Sequence, residues 1–214
     1  MDRTVARALN AAGIAAPLLW VAAFVSLASL RPEYSHYRHY ISELAARGTS
    51  TQHVMQVAGF FLPGLMVVAF GLLVGLSART TLAGAGAALL IVSGLARIAA
   101  GVFPPDPCCV PMVPSFSERM HNAAGLAFVL TMGATVLIWC AVTEQRFRTR
   151  GHWFRWYSLA TLVTAITLPF LLSRFGAGSA NVGLIQRASF SVLNLWILVF
   201  ALVMYTHPPS KEAS

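Results

Sequence analysis

The sequence predicts an all-α integral membrane protein, a bundle of six transmembrane helices. Three observations predict it. Of 214 residues, 57% are hydrophobic and 10% charged, against about 45–50% and about 25% in a soluble domain. Mean hydropathy is +0.69. The few charges fall between long apolar runs rather than inside them. A soluble enzyme and a secreted domain are excluded, because so few charged side chains cannot cover a soluble globule. The net charge of +8 does not indicate nucleic acid, which needs a basic patch on a soluble face; here the arginines punctuate apolar stretches. Membrane lipids are the expected partners, with no nucleic acid and no cofactor.

The elements follow from the gaps between charges. Charge-free intervals run over residues 8–30, 48–78, 120–143, 156–173 and 188–210, and residues 80–102 are interrupted only by Arg97. A bilayer core of about 30 Å needs roughly 20 apolar helical residues, so each interval holds one span. The predicted spans are about 8–30, 53–77, 80–102, 118–142, 154–173 and 184–206. Strands of a β-barrel would show short alternating segments, and these runs are continuous. The first span resembles a signal peptide at Ser26-Leu27-Ala28, but its apolar stretch exceeds the usual 7–15 residues, so an uncleaved helix is expected. The second and third spans carry Gly71-x-x-x-Gly75, Gly84-x-x-x-Ala88, Gly94 and Gly101, positions where helix backbones approach closely in lipid. No linker, low-complexity tract or internal repeat divides the chain, so residues 1–214 read as one domain.

Basic residues in the short loops orient the bundle. With the N-terminus inside, Arg3, Arg7, Arg79, Arg146, Arg148, Arg150, Arg155 and Lys211 are cytoplasmic. Arg31, Arg38, Arg47, Arg119, Arg174 and Arg187 are then outside. The run Arg146–Arg148–Arg150 is hard to translocate, so N-in, C-in is expected, in the cell membrane.

Polar residues concentrate toward the outer side. The first loop, residues 33–44, is too polar to span and too aromatic for a floppy linker. Its Tyr34, Tyr37 and Tyr40 suit a membrane interface. On a helix His36, His39 and Glu43 share one face, which fits metal ligands or a proton-transfer pair, and equally an interfacial helix with its polar face in water. Arg97 lies about 10 Å below the outer end of its helix. An intramembrane arginine is costly and faces a partner or a wet cavity, although its length also allows snorkelling. The turn Phe103-Pro104-Pro105-Asp106 presents Asp106 outward. Ser117, His121 and Gly125 form one stripe of the fourth span, where Glu118 suits the positive end of the helix dipole. Gln186-Arg187 opens the sixth span, and Arg187, Ser191 and Asn194 continue as a stripe. Cys108 and Cys109 are adjacent, where a vicinal disulfide would be strained, and Cys140 falls at the opposite end of the bundle.

At Tyr34-Ser35-His36, Tyr40-Ile41-Ser42-Glu43-Leu44, Phe103-Pro104-x-Asp106, His121 with Gly125, and Gln186-Arg187, the chain resembles the bacterial six-helix membrane family known as domain of unknown function 998. The resemblance implies a six-helix membrane fold over nearly the whole chain and brings no reaction or cofactor. A fainter similarity is to eukaryotic six-helix proteins of GPI-anchor lipid remodelling and to membrane hydrolases built around Ser, Asp and His. Those hydrolases hold zinc with several helical histidines, whereas here only His121 is on a helix, so His36, His39 and His121 are weak metal candidates.

Two function classes follow. In a lipid-directed hydrolase or transferase, His121 or Glu43 is the general base, with Asp106 orienting His121 or holding a metal. Arg97 and Arg187, with Ser42, Gln186 and Asn194, bind a head group or stabilise developing charge. In a non-enzymatic lipid-binding protein or subunit of a complex, the same charges form a buried ion-pair network. No nucleophile elbow or HExxH motif is present. Transport lacks the inverted repeats and broken helices it would need. In either class Arg97 is expected to face the bundle interior and pair with Glu43 or Asp106. Glu43, Arg97, Asp106, His121 and Arg187 are expected to converge on one pocket at the extracytoplasmic side.

Overall fold

The computed structural model describes residues 2–107, 113–142, 153–175 and 180–206. Cys108, Cys109, the Arg146–Arg148–Arg150 run and Lys211 lie outside the described residues. Among the described residues there are helices and no strands. Six are long: α1 Arg3–Ser29, α2 Gln52–Ser77, α3 Thr81–Val102, α4 Phe116–Ala141, α5 Trp153–Phe175 and α6 Val182–Thr206. Five of them, all but α5, are long and apolar enough to cross a membrane. The chain is a multi-pass membrane protein.

The helices overrun the charge-free intervals because polar residues cap them. Asp2 accepts the N–H of Thr4 at 3.2 Å and starts α1 ahead of Arg3 and Arg7. Thr80 accepts from Ala83 at the head of α3, and Ser115 accepts from Glu118 at the head of α4. Each satisfies an N–H that the first helical turn leaves without a partner. The first loop tightens into a 3₁₀ turn, Ile41–Ala45. Within α2 the segment Met55–Phe61 is a π turn. It ends just before Pro63, which lacks an N–H and would crowd the Gly59 carbonyl in a regular turn.

Sequence neighbours pack most extensively, and α6 closes the ring against α1. The α2–α3 seam is backbone against backbone: a Cβ added at Gly94 would lie 2.8 Å from the Gly64 carbonyl oxygen, and one at Gly101 would lie 2.9 Å from that of Gln56. Gly84 faces open space instead, so the expected Gly84-x-x-x-Ala88 contact is not made; that stretch of α3 simply turns Gly84 away from its neighbours. One apolar cluster, rich in aromatic rings, fills the bundle around Phe70, Trp139, Phe154, Trp196 and Phe200. A second, including Trp20, Phe24, Ile41, Leu44 and Met55, seats the first loop on α1 and α2.

Candidate functional site

The first loop is held on α6 by a single cation. Arg187, 8% exposed, donates from Nη1 to the carbonyls of His36 (2.6 Å), His39 (2.8 Å) and Gly183 (2.9 Å). Its Nε donates to His36 Nδ1 at 3.1 Å, and its Nη2 donates to the Tyr34 hydroxyl. Gly183 must be glycine here, because a Cβ would strike the carbonyl oxygens of His36 and His39. The Gly183 N–H donates to the Tyr37 carbonyl at 2.7 Å, and the Ile41 N–H donates to Gln186 Oε1 at 2.7 Å. Burial pushes the Tyr34 phenol up to about 12, with the adjacent Arg187 acting in the opposite direction. Burial, then Arg187, holds His36 below its ordinary value. A guanidinium satisfied by carbonyls, a neutral imidazole and a phenol closes this loop without a carboxylate.

The carboxylates work elsewhere. Glu43 accepts the Tyr40 N–H at 2.7 Å and caps the 3₁₀ turn. Asp106 accepts the Ser115 N–H at 2.8 Å, a bond that holds its carboxyl below the usual range. Glu118 in turn accepts the Asp106 N–H at 2.7 Å, so the α3–α4 turn is knitted by two acids exchanging backbone donors. That turn meets the first loop where the Arg47 N–H donates to the Pro105 carbonyl at 2.9 Å. Glu33 pairs with Arg31 at 2.6 Å.

Between these two devices lies a cavity of about 260 Å³. Its polar lining comes from Ser42 in the first loop, Arg97 on α3, His121 and Asn122 on α4, and Gln186 and Ser189 on α6. Its apolar walls are the rings of Trp20, Phe60, Phe128 and Phe190, with Leu126 at the edge, 59% exposed on the outer surface of α4. Arg97 is 4% exposed. Its guanidinium lies 4.6 Å from the Phe128 ring centroid and 5.8 Å from that of Trp20. Nη2 donates to Asn194 Oδ1 at 2.9 Å, and Nη1 is buried with no hydrogen-bond partner. The expected pairing of Arg97 with Glu43 or Asp106 is not made, because both acids are engaged by backbone N–H groups at the loop and the turn.

His121 is fixed by its Nδ1, which lies 2.9 Å from the carbonyl oxygens of both Ala100 and Phe103. Carbonyl oxygens only accept, so Nδ1 carries a proton, and in the neutral imidazole Nε2 holds the lone pair. The edge of Phe60 packs on the ring at 5.6 Å. The neutral tautomer would thus present an acceptor on the cavity wall.

Of the sequence-derived site residues, the cavity brings together Ser42, Arg97, His121 and Gln186, with Asn194 reaching it through Arg97. It does not bring in Glu43, Asp106 or Arg187. Among the described residues no group of three His, Cys, Asp or Glu is placed to hold a metal; His36 and His39 belong to the Arg187 clamp, His39 Nδ1 accepting the Ser35 N–H at 2.9 Å. Sequence reasoning missed the aromatic walls, since a ring in an apolar run reads as packing. The one available signal was helical spacing from Arg97 on α3 to the small residues beside it.

The chain matches the family described as "Protein of unknown function (DUF998)" over residues 14–203, which takes in every residue of this cavity and of the clamp above it. Neither the curated proteins nor the solved structures contain a match. The span of that match, from the middle of α1 to near the end of α6, means that the chain belongs to the DUF998 family.

Proposed function

We propose that this membrane protein binds the anionic head group of a membrane lipid in the cavity beside Arg97, with the acyl chains leaving past Leu126 into the outer leaflet of the cell membrane. One observation carries the reading: Arg97, which lines a cavity, holds a buried cationic donor, Nη1, with no partner. A buried charge without a counter-charge is expensive. The Phe128 and Trp20 faces offset part of that cost, and an anion entering the cavity would offset the rest. At about 260 Å³ the space is just below the roughly 300–1,000 Å³ of pockets that enclose whole drug-sized ligands. That size suits a head group and not two acyl chains. Binding is favoured over hydrolysis or group transfer because Glu43 and Asp106, the carboxylates a hydrolytic site would use, are bound to backbone N–H groups.

The experiment is native mass spectrometry of the purified full chain with defined lipids. Retention of anionic over phosphatidylcholine lipids, lost in Arg97→Gln, is the expected result. Equal retention of both lipids by the wild type removes the reading. Lipid profiles of cells that differ between wild type and His121→Ala would instead restore the hydrolase or transferase.

A further inference from the structure

The cavity offers an anion two different kinds of contact, and together they narrow its ligand. Arg97 is the one charged side chain among the lining residues. Arg187, the other deep cation on this side, is fully engaged by the first loop. No carboxylate lines the space. Opposite in character is His121 Nε2, a lone pair with no hydrogen-bond donor among the described residues. Its tautomer is locked from behind by the Ala100 and Phe103 carbonyls. His121 lines the cavity, so a ligand that brings both a negative charge and an uncharged donor would satisfy Arg97 and gain a hydrogen bond at Nε2 as well.

We infer that the ligand is a phospholipid carrying one net negative charge and a hydroxyl in its head group, the phosphodiester facing Arg97 and the hydroxyl donating to His121. The inference rests on the anionic head-group reading above. A phosphomonoester is a poorer fit because near neutral pH it carries up to two charges, its second pKa being about 6, against a single cation. A zwitterionic head group supplies a donor as ammonium, but that cation would enter a cavity holding Arg97 and no acid. Phosphatidylcholine has no donor at all.

The test compares four lipids on the full chain in detergent, by native mass spectrometry. They are phosphatidylglycerol (anion and hydroxyl), phosphatidylethanol (anion alone), phosphatidylethanolamine and phosphatidylcholine. Phosphatidylglycerol should exceed phosphatidylethanol by about tenfold, the equivalent of one satisfied buried hydrogen bond, and phosphatidylethanolamine should bind no better than phosphatidylcholine. The informative variant is His121→Asn, whose amide nitrogen can donate to the carbonyls as Nδ1 does while Nε2 is removed. It should bring the ratio of phosphatidylglycerol to phosphatidylethanol close to one and leave both above phosphatidylcholine. Equal binding of the two anionic lipids to the wild type overturns the hydroxyl assignment and leaves the head-group reading standing. Phosphatidylethanolamine binding like phosphatidylglycerol overturns the single-charge assignment. A ratio unchanged in His121→Asn overturns the role of His121. No preference for either anionic lipid overturns the head-group reading as well.

Discussion

At the scale of single residues, a buried cation either holds the fold together or waits for a ligand, and Arg97 separates the two by what its absence does. If it were structural, removing it would break a buried network and cost about 3–5 kcal/mol. Its only acceptor among the described residues is Asn194 Oδ1, worth about 1 kcal/mol, and removing an uncompensated charge offsets that loss. Arg97→Met should therefore leave thermal stability in detergent equal or higher, while abolishing the preference for anionic lipid. A melting temperature lowered by many degrees would make Arg97 a packing residue. Arg97 and His121 were legible in the sequence because a polar side chain inside an apolar run carries a cost that needs a reason. Glu43 and Asp106 were legible as polar but not by role. Nothing in a one-dimensional string tells a catalytic carboxylate from one that caps a 3₁₀ turn or a tight helix connection. Sequence spacing also put His36, His39 and Glu43 on one helical face, but residues 31–40 are not helical and the three separate into different hydrogen bonds.

At the scale of elements, the two glycine-rich helices show why spacing alone misleads. Gly84 and Gly94 both lie on α3. Alanine at Gly94 would place a Cβ 2.8 Å from the Gly64 carbonyl oxygen and 2.9 Å from the Val68 nitrogen, both rigid backbone, whereas at Gly84 nothing lies within 4 Å. Gly94→Ala should therefore destabilise by about 2–3 kcal/mol, the upper end of overpacking costs. Gly84→Ala should stabilise by up to about 1 kcal/mol through helix propensity. Thermal unfolding of the two variants measures the contrast, and similar shifts would mean that α2 and α3 are not in backbone contact. The attachment of the first loop to α6 is pH-dependent from both sides. His36 accepts from Arg187 only when neutral, and its value is depressed. Its contribution is complete above the unfolded value of about 6.5 and is lost as pH falls. Tyr34 is raised to about 12, so its contribution is complete below about 10 and is lost as pH rises through 12. Hydrogen-exchange protection of residues 34–40 should fall between pH 7 and pH 5. His36→Asn, which keeps an acceptor for Arg187 but does not titrate, should flatten that fall; an unchanged acid response in this variant would locate the sensitivity elsewhere.

At the scale of the whole molecule, the remaining question is whether α5 crosses the membrane. Its charge-free stretch, 156–173, is shorter than the roughly 20 residues a span requires, yet the helix Trp153–Phe175 is about 34 Å long at 1.5 Å per residue, and Arg155 and Arg174 can snorkel from its ends. Connectivity decides more than hydropathy here. The first loop follows one crossing by α1, and the α3–α4 turn follows three. Their direct bond, from the Arg47 N–H to the Pro105 carbonyl, requires that they share a side. Crossing by α4 then carries the chain to the opposite side. The start of α6 lies back against the first loop, where the Gly183 N–H donates to the Tyr37 carbonyl, so we propose that the chain recrosses between α4 and α6 and that α5 makes the crossing. The count of basic residues in the loops predicts that both ends of this alternation lie inside. In a background with the three cysteines replaced, a membrane-impermeant maleimide applied to intact cells should label Tyr37→Cys and Ala180→Cys and spare Arg150→Cys until the membrane is permeabilised. Labelling of Ala180→Cys together with Arg150→Cys, and apart from Tyr37→Cys, would remove the crossing by α5; labelling of Arg150→Cys alone would keep six crossings and invert them.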